Sequence, residues 1–208
     1  RVEVLDGDVT DYRYFEPLQT LPVNTVFNCA ANVKHFSNGT DIEDINVGGA
    51  VNCVRLCKAT GARLIQFSTI SVSGTTEDVS KLGRSELDEQ SLYFGQTLDN
   101  KYTSSKLMGE RMVLEAAAEG LDAKVIRVGT LAARESDCEF QVNFLTNNFI
   151  GRLRSYSLLG CFPYSMIENQ VCMGPIDRSC EAFLKLAKTP QACCVFNAVN
   201  NHTLPLGD

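Results

Sequence analysis

Short apolar segments alternate with longer amphipathic ones along the first 128 residues, and that alternation narrows the fold more than any other feature of the chain. Thr25–Ala30 reads as a strand, Asp44–Lys58 as a helix stopped by Gly61, and Arg63–Ser68 as the next strand. Asn100–Glu119 is a long helix ending at Gly120, and Ala123–Val128 is a further strand. Strand, helix and strand in repeated order require a crossover each time. The strands are therefore expected to lie parallel, with the helices covering the sheet. Arg1–Leu5 is expected to add one more strand, ending in the turn Asp6-Gly-Asp8. Val47, Val51 and Val54 share one helix face and are expected to look inward.

After residue 130 the alternation weakens. Residues 131–175 hold polar loops, an amphipathic stretch at Phe144–Leu153 and a Gly/Pro-marked region, followed by a helix over Asp177–Leu186 and a strand over Cys193–Val199. The division expected is a partial nucleotide-binding α/β part over 1–130 and a partial substrate-binding region over 131–208. The polar loop at 74–98 is long enough for a functional excursion. Its charged part, Glu77–Glu89, reads as solvated surface.

Composition excludes several function classes. With 208 residues the chain suits about one domain, and its net charge of −6 gives no reason to expect nucleic acid or an anionic membrane as partner. No apolar run approaches the roughly 20 residues that span a bilayer, and no secretory leader is expected from these residues. The nine cysteines are odd in number and contain no C-x-x-C pair, so neither a disulfide framework nor a zinc site is expected. Cys53 and Cys57 read as small buried side chains one helical turn apart. Cys29 reads as a buried strand residue rather than a nucleophile. His35 and His202 have no ligating or catalytic spacing, so no metal is expected. A reducing, cytoplasmic setting fits.

Chemistry concentrates at Tyr102-Thr-Ser-Ser-Lys106, which follows Ser68-Thr69 by about thirty residues. Tyr102 and Lys106 lie on one helix face, where an ammonium can lower the phenol's pKa from about 10. Such a phenol can act as acid or base for a carbonyl and its alcohol, and Thr69 could hydrogen-bond the same oxygen. The plain alternative is an exposed lysine beside a half-buried tyrosine. Position favours chemistry, because all three residues would meet at the carboxyl edge of a parallel sheet. Gly7-Asp8-Val9-Thr10-Asp11 follows the expected first strand. Its carboxylate suits either an adenine amino group or a simple turn. Cys29-Ala30-Ala31-Asn32-Val33 ends the next strand with small residues, which permit either close ligand approach or tight packing. Asn46 opens a helix and reads as a cap.

Taken in order, Gly-Asp-Val-x-Asp, the small-residue strand end, Asn46-Val-x-Gly49, Ser68-Thr69-x-x-Val72 and Tyr102-x-x-x-Lys106 resemble the extended short-chain dehydrogenase/reductases. Arg127-Val-Gly-Thr-Leu, Arg134-x-Ser-Asp137, Phe140-Gln-x-Asn143, Asn148-Phe149 and Gly174-Pro-Ile-Asp177 look like that superfamily's thioester reductase branch, found at the ends of nonribosomal peptide synthetases and carboxylic acid reductases. The resemblance implies a Rossmann-like doubly wound sheet with Thr69, Tyr102 and Lys106 as the catalytic set. It also implies that Asp8 and Val9 flank adenine, that Ala30, Ala31 and Asn32 pass the phosphates and ribose, and that Lys34 approaches the ribose. By the same resemblance Asn46 stands near the site, and Arg127, Val128 and Gly129 lie beside the nicotinamide. NADPH is the cofactor implied, with NADH the alternative. The partner implied is a phosphopantetheinyl carrier domain within a larger multidomain chain. The reaction implied is reductive release of a carrier-bound thioester to an aldehyde, or on to the alcohol.

A nucleotide-sugar epimerase or dehydratase of the same superfamily is the enzymatic alternative. A non-catalytic nucleotide-binding or interaction module is the alternative of another class. The G-x-x-G-x-x-G turn that would receive a pyrophosphate does not occur. The chain therefore reads as an internal fragment of a larger reductase domain, and alone it is expected to be inactive.

Overall fold

Three β-rich segments find one another in the order that the alternation requires. In a computed structural model, which describes residues 2–35, 37–83, 88–142, 144, 147–190 and 193–207, the chain runs from β1 (Thr25–Asn28) to α1 (Asp41–Glu43). A π-helical turn (Asp44–Gly48) joins α1 to α2 (Gly49–Thr60), and β2 (Arg63–Thr69), α3 (Thr76–Ser80), α4 (Lys101–Ala118) and β3 (Ala123–Val128) follow. Next come β4 (Thr130–Ala132), α5 (Asn148–Leu159), β5 (Gln170–Pro175), α6 (Ile176–Ala187), β6 (Cys193–Ala198) and β7 (Thr203–Pro205). The four-stranded sheet has the order β1-β2-β3-β6. β1 and β2 are parallel, as are β2 and β3, with Thr25 beside Arg63 and Thr69 beside Val128.

Two helices cover this sheet because their inward faces are made of small and branched side chains. Ala50, Cys53, Val54 and Cys57 of α2 pack with Val113 and Ala116 of α4 over Leu64, Ala123 and Val125. Burial of each larger aliphatic contributes about 1.5–3 kcal/mol. Burial also pushes the Cys53 and Cys57 thiols up to about 12, which suits inert core cysteines. The inward face of α2 differs from the expected Val47-Val51-Val54 stripe, since Val47 and Val51 are only half-buried. The π turn accommodates an extra residue and so rotates the faces on either side of it. α2 ends where Gly61 adopts φ +73° and donates to the Cys57 carbonyl. α4 begins at Asn100, whose side chain accepts from the Thr103 N–H at 3.0 Å. Further along α4, a Cβ at Gly109 would stand 3.0 Å from the Asn46 carbonyl oxygen, so glycine allows α4 to press against the π turn.

Two expectations are corrected here. Residues 2–8 form no strand, and Val2 and Val4 are 89% and 85% exposed. A strand needs a ladder of backbone partners, and among the described residues β1 pairs only with β2. The charged part of the 74–98 loop, Glu77–Glu89, is also not simply solvated surface. Asp78 is buried and accepts from Thr75 N, Thr75 Oγ1, Thr97 N and Lys81 Nζ, tying the start of the loop to its end. These hydrogen bonds hold its carboxyl well below the usual carboxylate range. Residues 84–87 of this loop lie outside the described residues, as does Asn143 of the Phe140-Gln-x-Asn143 motif.

Arg1–Val128 with Leu186–Asn197 forms one unit, and Gly129–Lys185 with Ala198–Asp208 forms another. In the second unit β5 pairs parallel with β4 and antiparallel with β7. β7 is a strand that the sequence pattern did not suggest. The Asp177 carboxylate, at the start of α6, accepts from the backbone N–H groups of Glu135 and Ser136, which pins the Arg134–Asp137 turn. Among the described residues no helix is long and apolar enough to cross a membrane.

Candidate active site

The carboxyl ends of β1 and β2 and the first turns of α4 bring the three expected catalytic residues together. Thr69 closes β2 and is nearly buried, and its Oγ1 accepts from Ser71 N at 3.2 Å as the chain turns away from the sheet. Tyr102 is half-buried in the first turn of α4, near enough to Thr69 for that hydroxyl to influence its phenol. One turn later Lys106 is buried, and its Nζ donates to the Phe67 carbonyl at 2.6 Å. That bond fixes the helix to the strand that presents Thr69.

The electrostatics differ from the expectation that Lys106 depresses the Tyr102 pKa. Burial raises the Tyr102 phenol above its ordinary value, and the Thr69 hydrogen bond offsets part of that rise. The Lys106 ammonium is engaged with a backbone carbonyl instead. Burial lowers its own pKa to about 8, while Glu110 and Cys29 pull it back upward. Cys29 lies just past β1 and is exposed, contrary to the buried role expected of it.

Asn46 is not a cap. It sits inside the π turn, 2% exposed, where its Oδ1 accepts from Asn32 N at 2.8 Å. Its Nδ2 donates to the Asn32 carbonyl at 3.0 Å and to Ser105 Oγ at 2.9 Å. Ser105 in turn donates to the Tyr102 carbonyl at 2.9 Å. One amide thus connects the loop after β1 with the helix that carries Tyr102 and Lys106, and π turns recur at functional sites for this kind of re-aiming. Asn32 also donates to Asp41 at 2.9 Å.

The residues expected along the cofactor are arranged more loosely. The Asp8 carboxylate accepts from Thr10 N and Thr10 Oγ1, a local turn on an exposed segment. Val9 packs against Gly49, and its carbonyl accepts from Asn52 Nδ2 at 2.9 Å. Ala30 is exposed and Ala31 half-buried at the open end of β1, and Lys34 is exposed beyond them. Arg127 is fully buried. Its Nε and Nη2 grip the Glu110 carboxylate at 2.9–3.2 Å, so the guanidinium is closed off from any ligand. Val128 lies beside Thr69 in register, and Gly129 opens the second unit against Val199.

Sequence reasoning missed two participants. The His35 ring stacks on Tyr102 with centroids 6.0 Å apart and planes 9° from parallel. Its only sequence signal is its place shortly after the small-residue end of β1. Glu110 was missed as well, although its position four residues after Lys106 puts it on the same helix face.

These residues fit the ribose and nicotinamide end of a dinucleotide. A buried amine stands beside two hydroxyls at an edge where Ala30 and Ala31 leave room for close backbone approach. What the arrangement can do unaided is hold a carbonyl oxygen between a phenol and a threonine hydroxyl, with a positive charge behind them.

A model of an NAD-binding family described as Male sterility protein matches residues 1–183. A PKS-NRPS hybrid synthetase of Aspergillus candidus is 30% identical over 168 residues, covering 80% of this chain and 6% of that protein. The solved structure of a thiolation-reductase di-domain from an archaeal nonribosomal peptide synthetase aligns with a TM-score of 0.88 at 39% identity, over 96% of this chain and 43% of that one. The reductase domain of the Aureusimine biosynthetic cluster aligns with a TM-score of 0.75 at 30% identity, over 89% and 48% respectively. The chain thus spans somewhat under half the length of these reductase structures, and they share its α/β Rossmann-like fold. The chain belongs to the Male sterility protein family of NAD-binding domains and is homologous to the terminal reductase domains of nonribosomal peptide synthetases.

Proposed function

We propose that this chain carries the proton-donating side of an NADPH-dependent reductase that releases an acyl or peptidyl group from a carrier-protein thioester as an aldehyde. The observation that carries this reading is the buried Lys106, tied through its Nζ to the backbone of the strand that ends in Thr69 and lying one helical turn beyond Tyr102. When bound, a nicotinamide cofactor would supply the hydride that reaches the thioester carbon. Lys106 and the open Ala30–Ala31 edge would hold the nicotinamide ribose, and Lys34 and Asp8 are the residues available to the distal ribose and adenine. Tyr102 Oη gives its proton to the carbonyl oxygen as negative charge develops there, and Thr69 Oγ1 hydrogen-bonds the same oxygen. A phenol with a raised pKa is protonated at neutral pH and so arrives ready to donate. The resulting hemithioacetal collapses to aldehyde as the carbon–sulfur bond breaks, and the thiol leaves with the hydroxyl proton. No step forms an acyl-enzyme, so Cys29 has no part in it.

The thioester substrate is supported by the relatives, a PKS-NRPS hybrid synthetase among the sequences and a thiolation-reductase di-domain of a nonribosomal peptide synthetase among the solved structures. The carrier partner is supported by the archaeal protein, in which a thiolation domain accompanies the reductase. Replacing Tyr102→Phe in the intact protein is expected to cut thioester-dependent NADPH oxidation by about 100-fold or more. Near-wild-type turnover would sink the assignment. Turnover of UDP- or dTDP-hexoses in place of an aminoacyl-pantetheine thioester would redirect it to nucleotide-sugar chemistry.

A further inference from the structure

The loop after β1 turns a side chain inward that hydrophobic burial would not choose. Burial alone would hide Val33 and leave a histidine in water. Instead Val33 is 65% exposed and Lys34 is exposed, while His35 is half-buried with its ring on Tyr102. The centroids stand 6.0 Å apart and the planes differ by 9°, a near-parallel stack. The loop that carries His35 is fastened on both sides of it. Before it, Lys34 N donates to Asn32 Oδ1 at 3.1 Å, and Asn32 is tied to Asn46 through both of its backbone groups. After it, Ser37 Oγ donates to the Asp41 carboxylate, which also accepts from Asn32 Nδ2 at 2.9 Å. Lys101, the first residue of α4, donates to the Gly39 carbonyl at 2.9 Å and pairs with Glu43 at 3.5 Å. Lys101 immediately precedes Tyr102 in the chain, so the loop and the tyrosine share one mount.

We propose that His35 is a positioning residue: its imidazole, held against one face of the Tyr102 ring by the loop after β1, fixes the plane of that ring. A phenolic O–H bond lies in the plane of its own ring, because the oxygen lone pair conjugates with the ring. The plane therefore sets the direction in which Oη offers its proton. Rotation about the Cβ–Cγ bond of a tyrosine is soft, and it leaves Oη in place while swinging the proton around it. Proton transfer needs the correct direction as well as the correct distance. An aromatic plate on one face of the ring restricts that rotation. The Lys106 bond to the Phe67 carbonyl holds the helix against the strand, so the two contacts restrain different motions of the same site. The role needs a flat face at position 35 and no proton from the imidazole.

The proposal rests on the reductase reading for its kinetic consequence but not for its motional one, and the test separates them. In the intact protein carrying 13C-labelled tyrosine, the Tyr102 ring-flip rate is followed by NMR relaxation dispersion alongside kcat and KM for thioester-dependent NADPH oxidation. His35→Ala is expected to speed the flip severalfold and to lower kcat by about 10-fold, with KM changed by less than about twofold. His35→Phe keeps a flat face without a ring nitrogen, and it is expected to bring both readings back to near wild type. Where His35→Ala fails to fold, His35→Leu fills the space without a flat face and should show the same two changes. In an active protein, an unchanged flip rate or an unchanged kcat in the folded Ala or Leu variant overturns the proposal. A His35→Phe variant as impaired as His35→Ala also overturns it, because the imidazole nitrogens would then carry the role. A faster flip in the Ala or Leu variant of a protein with no thioester-dependent activity at all supports the positioning role and removes the reductase reading instead.

Discussion

The two ends of the sheet's carboxyl edge are built in different ways. At the Thr69–Tyr102–Lys106 end functional groups are held by bonds to other elements: Lys106 to the β2 backbone, and Ser105, one turn from Tyr102, to Asn46. At the Asp8–Lys34 end the bonds are mostly short in sequence. Asp8 bonds Thr10, and Lys34 N bonds Asn32 Oδ1. The first end is placed by the fold, and the second by local turns with ties of Val9 to Asn52 and of Asn32 to Asn46 beneath them. A proton donor must sit within a few tenths of an ångström of its acceptor to be useful, whereas an adenine or ribose contact tolerates a softer mount. Under the proposed function, the contrast would follow the precision that each task demands.

The largest expected break falls on the rigid end. Lys106→Met keeps the stem's volume and removes the charge behind Tyr102, and steady-state assays of thioester-dependent NADPH oxidation should show a loss of about 100-fold or more. Retained activity would mean that the buried amine is structural. Next in size, Asn46→Ala strips the amide that joins the post-β1 loop to α4 and leaves the Asn32 N–H without that acceptor. Chemical denaturation should register a loss of about 2–3 kcal/mol, with a companion fall in turnover as α4 loses its tie. If stability dropped with turnover unchanged, Asn46 would be a fold residue only. At the soft end, Asp8→Ala removes only a turn contact on an exposed segment. It should change unfolding free energy by less than about 0.5 kcal/mol, and any effect should appear as weaker cofactor binding in a fluorescence titration. A stability loss as large as that of Asn46→Ala would erase the distinction between the two ends.

How far the sequence could be read follows the same division. β2, β3, α4 and α6 were legible from their hydrophobic pattern, and α4 also from its Asn100 cap and the Gly120 beyond its end. Tyr102, Lys106 and Thr69 were legible because fixed spacing on one helix face and a strand end leave little geometric freedom. Their electrostatics were not, since the direction of Lys106's amine depends on the Phe67 carbonyl, thirty-nine residues earlier. The strand expected at residues 1–5 failed for a related reason. Apolar alternation reports what a strand would bury but not whether a partner stands beside it. Asn46, Glu110 and Asp78 escaped because a polar residue's burial is decided by groups that arrive from other elements. His35 escaped because stacking leaves no periodic trace.

The contact at Gly109 gives the helix that carries Tyr102 and Lys106 something like a depth stop. A hydrogen atom there lets α4 settle onto the carbonyl of Asn46 until backbone meets backbone, and the next turn toward the N-terminus carries Lys106. Any side chain at 109 would act as a shim, and its thickness would be felt as a change in how far the amine reaches toward Phe67. The reach of a reactive group is here gauged by an atom that touches no substrate.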